Sequence, residues 1–374
     1  MMTSTNRPSE NVILIQTTLP DYRAPVLSYV IDKLGSRFRI LHGDGFFHAA
    51  VKSRALFPGN SEQIKNRYFL KRNVLFQTFD WRRALNAKVV IFEFNPRILS
   101  NWLIAGARRL NGKPNLMWGH AWARSGPASR TEPIRNALRK LADGMILYTY
   151  SDRDAIGPRA RHAQLFVAPN SLYPKAALTF DTSSARNSFI YVGRQVADKK
   201  VEVAIRAMAV AVKDPGFGAD LVIVGEGPTL ENNKALAQSL GIETRIFFQG
   251  HIGAREKLEA LYGMAIASLS PGYVGLSLTQ SLGFGVPMII SRDEPHAPEI
   301  EAAREGENCL FFNTDQPESL ARVMALMASE RAAWAARGPR IAEFCRERYS
   351  TEAMGEGFLA AIRFAESLAA KATR

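Results

Sequence analysis

Short apolar runs alternate with amphipathic stretches along most of the chain, and this alternation constrains the fold more than any other feature. The apolar runs are 11–17, 38–43, 87–94, 114–120 and 143–150 in the first half and 188–193, 220–227, 245–250, 265–270, 287–291 and 308–312 in the second. Continuous apolar strands separated by helices are typical of parallel sheets that are covered on both faces. The sequence therefore predicts an α/β protein with two doubly wound, Rossmann-like domains.

The domain boundaries follow from length and turn residues. A chain of 374 residues is too long for one ordinary core. Residues 173–187 contain turn formers and no periodicity, which predicts a linker. We expect an N-terminal domain over 1–172, a C-terminal domain over 188–345, and a helix within 346–374 that packs back on the N-terminal domain. Ligands of doubly wound domains bind at the carboxyl ends of the strands, so we also expect the two domains to face each other across a ligand cleft.

Several features predict the compartment. The chain has two cysteines, Cys309 and Cys345, which are too few for a disulfide framework or a metal cluster. No apolar run is long enough to span a bilayer, and the first residues lack the basic and apolar regions of a signal peptide. These features predict a protein of the reducing cytoplasm.

The positive charge is confined to the first half. Residues 1–180 hold 27 Lys and Arg against 11 Asp and Glu, whereas residues 181–374 hold 21 against 24, and the whole chain has a net charge of +13. Such a one-sided field predicts an anionic partner: nucleic acid, an anionic membrane or an acidic substrate. A plain solubility role remains open. No nucleic-acid recognition motif is present, and the aromatic residues do not form a stacking pattern, so we expect no nucleic-acid partner.

The first candidate site follows the strand at 188–193. Gly193 permits a tight turn, Arg194 offers a planar fork of donors, and Lys199 carries a compact charge five residues later. Together these residue types suit a diphosphate. Taken alone, the two cations are equally compatible with an ordinary surface loop.

Two further turns rich in glycine point to the same chemistry. Glu226 stands between two glycines after the strand at 220–227, a weak nucleotide-binding signal by itself. After the strand at 265–270, the backbone N–H groups of Gly275, Leu276 and Ser277 lie where a helix is predicted to begin. A helix N-terminus favours phosphate, although ordinary helix entry has the same sequence pattern.

The order of these motifs resembles that of the retaining GT-B glycosyltransferases, the large family 4 (group 1). "GRQVADK", "VGEGP" and "GLSLTQSLGFGVPMIIS" are similar to its diphosphate loop, its second turn and its segment before Gly-Val-Pro. The turn "FFQGHI" resembles the one whose backbone, here His251 and Ile252, meets the base. The resemblance covers residues 185–315 in motifs and the whole chain in architecture. It implies that Gly193, Glu226 and the helix start bind a nucleotide sugar and that Arg194 and Lys199 neutralise the leaving diphosphate.

The first half adds residues to the comparison. His120 follows a strand where the family often has a histidine that contacts the donor sugar, and so the resemblance implies a catalytic role for it. Tyr22 and Arg23 stand in the first cleft loop, and Asn170 matches the family's segment before the linker. These three are expected as sugar or acceptor contacts, although a surface role for Arg23 remains open.

The chain departs from the family at two acids. Family members usually have two glutamates eight positions apart before Gly-Val-Pro, and here Gly272 and Gln280 take their places. Gln280 is expected to bond the ribose without charge assistance. The sugar must then be held differently, and Gly272, Tyr273 and His296 are expected near it. The departure is similar to a bacterial polysaccharide subgroup.

The resemblance implies a reaction and its substrates. We expect transfer of a sugar from an NDP-sugar to a polysaccharide or lipid-linked acceptor, with retention and without a metal, since no Asp-x-Asp motif is convincing. A catalytically silent nucleotide-sugar binder and a sugar-nucleotide epimerase remain as alternatives.

A basic, aromatic segment suggests where the acceptor lies. Residues 65–86 hold six cations among aromatic residues, namely Lys65, Arg67, Lys71, Arg72, Arg82 and Arg83 beside Tyr68, Phe69, Phe76, Phe79 and Trp81. This composition predicts an interfacial membrane surface at the cytoplasmic face of the plasma membrane, while a pair of core helices with a charged outer face is the competing interpretation.

Overall fold

The chain forms two compact units. The computed structural model describes residues 11–47, 53, 55–123, 125–180 and 185–372. The first unit comprises Met1–Leu172 with Thr351–Arg374, and the second comprises Tyr173–Ser350. The polar N-terminal lead, which entered the expectation about a signal peptide, lies outside the described residues.

The first unit is built on a parallel sheet. Its strands are β1 (Val12–Gln16), β2 (Phe38–His42), β3 (Ser61–Gln63), β4 (Lys65–Phe69), β5 (Val74–Thr78), β6 (Val89–Glu93), β7 (Asn115–Trp118), β8 (Gly144–Leu147) and β9 (Gln164–Val167). Its helices are α1 (Ala24–Leu34), α2 (Trp81–Asn86), α3 (Leu99–Leu110), α4 (Glu132–Arg139), α5 (Tyr150–Ile156) and α13 (Thr351–Ala372). Seven of these strands form one sheet in the order β3-β2-β1-β6-β7-β8-β9. The order reverses between β1 and β6, which makes this pair the switch point of the sheet.

The second unit repeats the architecture. Its strands are β10 (Ser188–Val192), β11 (Asp220–Val224), β12 (Ile246–Gly250), β13 (Ala265–Ser270), β14 (Met288–Ser291) and β15 (Cys309–Phe312). Its helices are α6 (Val201–Ala211), α7 (Leu230–Ser239), α8 (Arg255–Gly263), α9 (Leu276–Gly283), α10 (Pro317–Ser329), α11 (Arg331–Ala336) and α12 (Gly338–Tyr349). The parallel sheet has the order β12-β11-β10-β13-β14-β15, so its switch point lies between β10 and β13.

The apolar strands are buried on both faces, as the sequence predicts. In β1, Val12 and Leu14 contact one core cluster, while Ile13 and Ile15 contact the cluster on the opposite face. Successive side chains of a strand point to opposite faces, and so a strand buried on both must be apolar throughout. The prediction of two doubly wound domains is confirmed.

The C-terminal helix belongs to the first unit. Met354, Phe358 and Ile362 of α13 are buried in the same cluster as Val12 and Leu14. Their spacing of four residues forms one apolar stripe. The structure separates the units between Ser350 and Thr351, because α12 runs to Tyr349 and α13 begins two residues later. The expected boundary at 345 and 346 would cut α12.

The segment expected as a linker is packed into the second unit. Leu178 is buried among Val274, Leu278 and Cys345, and residues Lys175–Ala177 form a 3-10 turn. Apolar side chains at positions 173 and 178 favour this packing because it removes them from water. Residues 181–184 of the segment lie outside the described residues.

The basic segment forms a hairpin. Strands β4 and β5 pair antiparallel as a two-stranded sheet of their own, and only residues 81–86 of the segment are helical. The alternative of two core helices is therefore wrong for this segment. Three consecutive residues with positive φ, Leu70, Lys71 and Arg72, make the turn between the strands.

Candidate functional site

The switch point of the second unit brings the predicted motifs together. Strand β10 ends at Val192 and continues into Gly193 and Arg194, and the neighbouring β13 ends at Ser270, just before Gly272. The chain continues from β10 to β11 and from β13 to β14, which lie on opposite sides of this strand pair, and such a reversal of strand order marks a ligand crevice at the strand ends.

Backbone contacts between glycine turns shape the Arg194 loop. A Cβ on Gly225 would lie 1.9 Å from the carbonyl oxygen of Gly193, and Gly225 has a φ of +127° that disfavours other residues. Gly193 donates its N–H to Val224, while Gln195 donates its N–H to Glu226. The backbones of the two turns are therefore in direct contact, which explains why the second turn contains glycine.

The side chain of Gln195 stabilises both turns, and the sequence analysis did not identify this residue. Its fully buried side chain donates from Nε2 to the Gly225 carbonyl at 2.8 Å and accepts at Oε1 from Asn233 at 2.9 Å. A buried amide must satisfy its hydrogen-bonding groups, so Gln195 fixes both turns. Its position beside Arg194 was the available signal, but a single Gln carries no recognisable motif.

Lys199 and Arg194 present two cations at the loop. The Lys199 ammonium donates to the Tyr273 carbonyl at 2.8 Å and lies 3.4 Å from the centroid of the Tyr273 ring. Burial lowers the Lys199 pKa to about 8, and nearby Arg194 lowers it further against the opposing effect of Asp198. Arg194 is exposed to solvent. A half-buried and an exposed cation on one short loop can bind an anion of two charges.

Gly272 occupies the family's first glutamate position for a steric reason. A Cβ there would lie 2.3 Å from the Asp198 carbonyl oxygen and 2.9 Å from the Lys199 backbone. The loop after β13 thus touches the backbone that carries Lys199. The place of the missing acid is filled by main chain, and any side chain would displace the Lys199 turn.

His296 anchors the loop before α9. Its Nδ1 accepts from the Val274 N–H at 3.0 Å, and its Nε2 lies 2.9 Å from the Ser291 carbonyl, to which it donates. Burial lowers the His296 pKa, which keeps the ring neutral for both bonds. Both nitrogens have protein partners, so the ring positions the loop, and the expected contact with the sugar stays a prediction.

Helix α9 begins where the sequence predicts phosphate contacts. Gly275 is its N-cap residue, and Leu276 and Ser277 form the first turn. First-turn N–H groups have no acceptor inside the helix. They are available to an anion beside the loop of Lys199 and Tyr273.

The remaining predicted contacts of the second unit lie at neighbouring strand ends. The exposed Glu226 accepts from the His251 N–H at 3.4 Å, a long contact that joins the turns after β11 and β12. Ile252 follows at the same edge and is half-buried. The order of these turns along the sheet is β12, β11, β10 and β13.

The side chain of Gln280 is buried and bonded to two tyrosines. Its side chain is 8 % exposed, accepts from the Tyr262 hydroxyl at 3.3 Å and donates to the Tyr173 hydroxyl at 2.8 Å. Both ends of the amide have tyrosine partners, which favours a structural role for Gln280, and the expected ribose contact stays a prediction. The second acid of the family is replaced here by a structural bridge.

A structural role for Gln280 predicts that Gln280→Leu lowers the stability of the protein. We expect the free energy of unfolding to fall by about 1–3 kcal/mol because two tyrosine hydroxyls lose a partner. The affinity for a nucleoside diphosphate should change less than twofold. Urea unfolding and titration calorimetry measure the two quantities, and Gln238→Leu, at an exposed position of α7, is the matched control. A loss of nucleotide affinity with unchanged stability would support the ribose contact.

The first unit has a cavity at its own strand ends. Its volume is about 380 Å³, and it is lined by aromatic and charged side chains, which include Tyr22, Arg23, Phe46, Glu93, Phe94, Arg97, Trp118, His120, Trp122, Arg135 and Tyr148. Of the predicted residues, Tyr22, Arg23 and His120 are thus brought together. Asn170 is absent from the lining and follows β9 at the sheet edge.

His120 is a neutral ring in this cavity. Its ring lies 4.7 Å from the Tyr148 ring between centroids. Desolvation of the ring lowers the His120 pKa to about 4, and the positive charges of Arg135 and Arg23 contribute to the decrease. At neutral pH the ring can donate or accept a hydrogen bond without carrying charge.

Comparisons with known proteins agree with this architecture. Residues 180–340 match the family model of glycosyl transferases group 1. HepE of Anabaena in complex with UDP has a TM-score of 0.68 at 12% identity and covers 95% of this chain and 100% of its own. The lipopolysaccharide outer core galactosyltransferase WaaB has a TM-score of 0.64 at 16% identity, with 94% and 99% covered.

A third structure shares the fold. Sucrose-phosphate synthase from Thermosynechococcus elongatus has a TM-score of 0.62 at 17% identity and covers 95% of this chain and 99% of its own. Comparison with curated proteins gave no significant match. Residues 180–340, which nearly span the second unit, are thus similar to the glycosyl transferases of group 1, and the two doubly wound units have the GT-B fold.

Proposed function

We propose that the protein transfers a sugar from a nucleoside diphosphate sugar to a glycan or lipid-linked glycan acceptor, with retention at the anomeric carbon. The observation that carries this proposal is the pair of cations at the β10 loop beside the first turn of α9. Arg194 and Lys199 supply charge, and Leu276 and Ser277 supply N–H groups. Cations and a helix N-terminus together suit a diphosphate.

The reaction needs stabilisation of the leaving group. Cleavage of the sugar–phosphate bond builds negative charge on the departing diphosphate, and prearranged cations and N–H groups lower the free energy of that charge. Retention fits attack on the same face, with the departing phosphate taking the proton of the acceptor hydroxyl. Protein cations supply the neutralisation, so we propose no metal requirement.

The nucleotide proposed first is UDP. HepE of Anabaena is described in complexes with UDP and with UDP-glucose. The fold similarity of that protein motivates the choice, and the turns at Glu226 and His251 of this chain offer the corresponding edge for a base. The sugar itself is left to experiment.

A donor panel tests the proposal. Purified protein is titrated with UDP, GDP and ADP by calorimetry and then incubated with the corresponding glucose, galactose and mannose donors. We expect tight binding of one nucleotide and slow release of that nucleotide from its sugar. Binding without release, even with a membrane-derived acceptor, would support the silent binder, and no nucleotide binding would reject the proposal.

The basic hairpin suggests that the acceptor lies at an anionic membrane. Lys65, Arg67 and Phe69 alternate along β4 and are exposed, with Phe69 at 51 % and the turn residue Leu70 at 74 %. Cations beside exposed apolar side chains suit the interfacial region of a bilayer. No helix of the described residues is both long and apolar enough to cross a membrane. We therefore propose peripheral association with the cytoplasmic face of the plasma membrane.

Two of the cations predicted for the membrane surface have partners within the protein. Arg83 pairs with Glu62 at 2.8 Å, and Arg72 donates to the carbonyls of Phe46 and Phe47. These two arginines support the hairpin. Arg72 is exposed as well, but its guanidinium is already bonded, whereas Lys65, Arg67 and Lys71 are exposed cations of the strand and turn that we propose meet the membrane.

A triple charge reversal tests the membrane surface. The variant Lys65→Glu, Arg67→Glu, Lys71→Glu should lose binding to liposomes that contain phosphatidylglycerol, because each cation contributes about 1 kcal/mol at an anionic surface. Co-sedimentation at low salt measures the loss, and raised salt should release the unchanged protein. The control reverses Arg206, Lys213 and Lys257, which are exposed in the second unit. Equal binding by both variants would place the surface elsewhere.

A further inference from the structure

The cavity of the first unit contains more positive charge than its acids compensate. Arg23, Arg97 and Arg135 line it, and Glu93 is the one acid among the lining residues that the structure describes. Glu93 accepts from the Thr17 N–H at 2.9 Å, which fixes it to the end of β1. His120 adds no positive charge, since its pKa is lowered to about 4.

Two of these guanidinium groups are held by neutral partners. Arg135 is 8 % exposed, donates to the His120 carbonyl at 2.6 Å and lies 4.6 Å from the centre of the Phe94 ring. Arg23 donates to the Gln16 amide oxygen and to the Tyr148 hydroxyl and lies 4.3 Å from a Trp118 ring centre. Neither has a carboxylate within ion-pair distance in the described part of the chain.

The acid behind Arg135 is already paired. Glu132 lies 3.2 Å from Arg139 and 3.6 Å from Arg159. Burial lowers the Arg135 pKa to about 10, with a smaller contribution from Arg139 and against the opposing charges of Glu132 and Asp152, and the group stays charged at neutral pH. A buried charge with no directly paired counter-ion is costly, and a ligand that brings a paired anion recovers part of that cost.

The walls of the cavity suit a sugar ring. Trp118, Trp122 and Tyr148 line it beside the arginines. Aromatic faces contact the apolar C–H faces of sugars, while the fork of an arginine matches a carboxylate or a phosphoryl group in two parallel hydrogen bonds. A volume of about 380 Å³ accommodates one or two sugar residues.

We propose that this cavity binds an anionic sugar residue of the acceptor, a carboxylated or phosphorylated glycan unit whose anion lies between Arg23 and Arg135. The word acceptor rests on the proposed function, whereas the affinity of the cavity for an anionic sugar does not. The excess of 16 positive charges in residues 1–180 would guide such a substrate toward this unit.

Binding measurements on sugars of matched shape test the proposal. Methyl glucuronide, glucose 6-phosphate and methyl glucoside are titrated while tryptophan fluorescence reports binding beside Trp118 and Trp122. We expect the two anionic sugars to bind at least tenfold more tightly than the neutral one. Acetate and inorganic phosphate distinguish recognition of the sugar from recognition of the anion alone. Equal affinities for all three sugars would overturn the proposal.

Substitutions place the anion. Arg135→Met should weaken anionic-sugar binding at least tenfold and leave neutral-sugar binding unchanged, while Arg135→Lys should recover part of the loss. Arg109→Met, at an exposed arginine of α3 outside the cavity, is the control. If Arg135→Met unfolds the protein, Arg23→Met and the salt dependence of binding serve instead.

The outcome separates this proposal from the proposed function. UDP affinity should be unchanged in the Arg135 and Arg23 variants, because UDP is assigned to Arg194 and Lys199. A loss of UDP affinity in these variants, or anionic-sugar binding that requires Arg194, would assign the arginines to the donor and overturn the inference. Anionic-sugar binding by a protein that binds no nucleotide would reject the proposed function alone.

Discussion

Arg194→Ala and Lys199→Ala are each expected to lower kcat/KM for the donor by about 100-fold or more. Each removes a positive charge from the diphosphate on which negative charge develops, and loss of one such stabilising group costs about 2.7–4 kcal/mol. Lys199 has the larger expected effect, because it is half-buried and its interactions are less screened than those of exposed Arg194. Steady-state nucleotide release measures both.

A neighbouring lysine supplies the control for this experiment. Lys200 pairs with Glu294 at 2.6 Å and with Asp315 at 2.7 Å, so its charge is already compensated. Lys200→Gln should therefore change donor kinetics little. Near-normal turnover in both the Arg194 and the Lys199 variant would remove this loop from the active site.

The same lysine predicts a pH dependence. With a pKa of about 8, the Lys199 ammonium is charged below pH 8 and neutral above it. UDP affinity should therefore decline as pH rises through this value, although bound diphosphate raises the pKa within the complex. Lys199→Arg should remove the decline, because a guanidinium stays charged in this range. Calorimetry between pH 7 and 9.5 measures the difference.

Gly272→Ala is expected to weaken UDP binding by about tenfold or more. The new Cβ would lie 2.3 Å from the Asp198 carbonyl oxygen, and main chain must move to relieve that overlap. Overpacking of this kind costs about 1–3 kcal/mol, and here the strain falls on the turn that carries Lys199. Gly218→Ala is the control, since no atom lies within 4 Å of its added Cβ.

Gly272→Glu sharpens this test. It restores the acid that the family usually has at this position. If this acid had its family role here, donor binding would improve. The contact with Asp198 and Lys199 predicts the reverse, a larger loss than for alanine. Improved affinity in the glutamate variant would show that the two loops separate easily and that steric exclusion is not the reason for glycine.

Local sequence determined the architecture and carried the proposal of a diphosphate loop. The first four residues of Val12–Gln16 are apolar and contribute to buried clusters on both faces of the sheet, so their strand conformation can be inferred from composition. The switch point then follows from strand order, and it places Gly193 and Gly272 at adjacent strand ends. Arg194 and Lys199 could be predicted as a pair because both are cations and they lie five residues apart on one loop.

Tertiary structure alone decided what the substituted and isolated side chains do. Gln280 bonds Tyr173, 107 residues away, and His296 holds the N–H of Val274, 22 residues away. The steric reason for Gly272 lies in the Asp198 backbone, and the partners of Arg23 and Arg135 come from different strands and helices. Such roles depend on hydrogen bonds and contact distances between residues far apart in the chain, which neither periodicity nor spacing encodes.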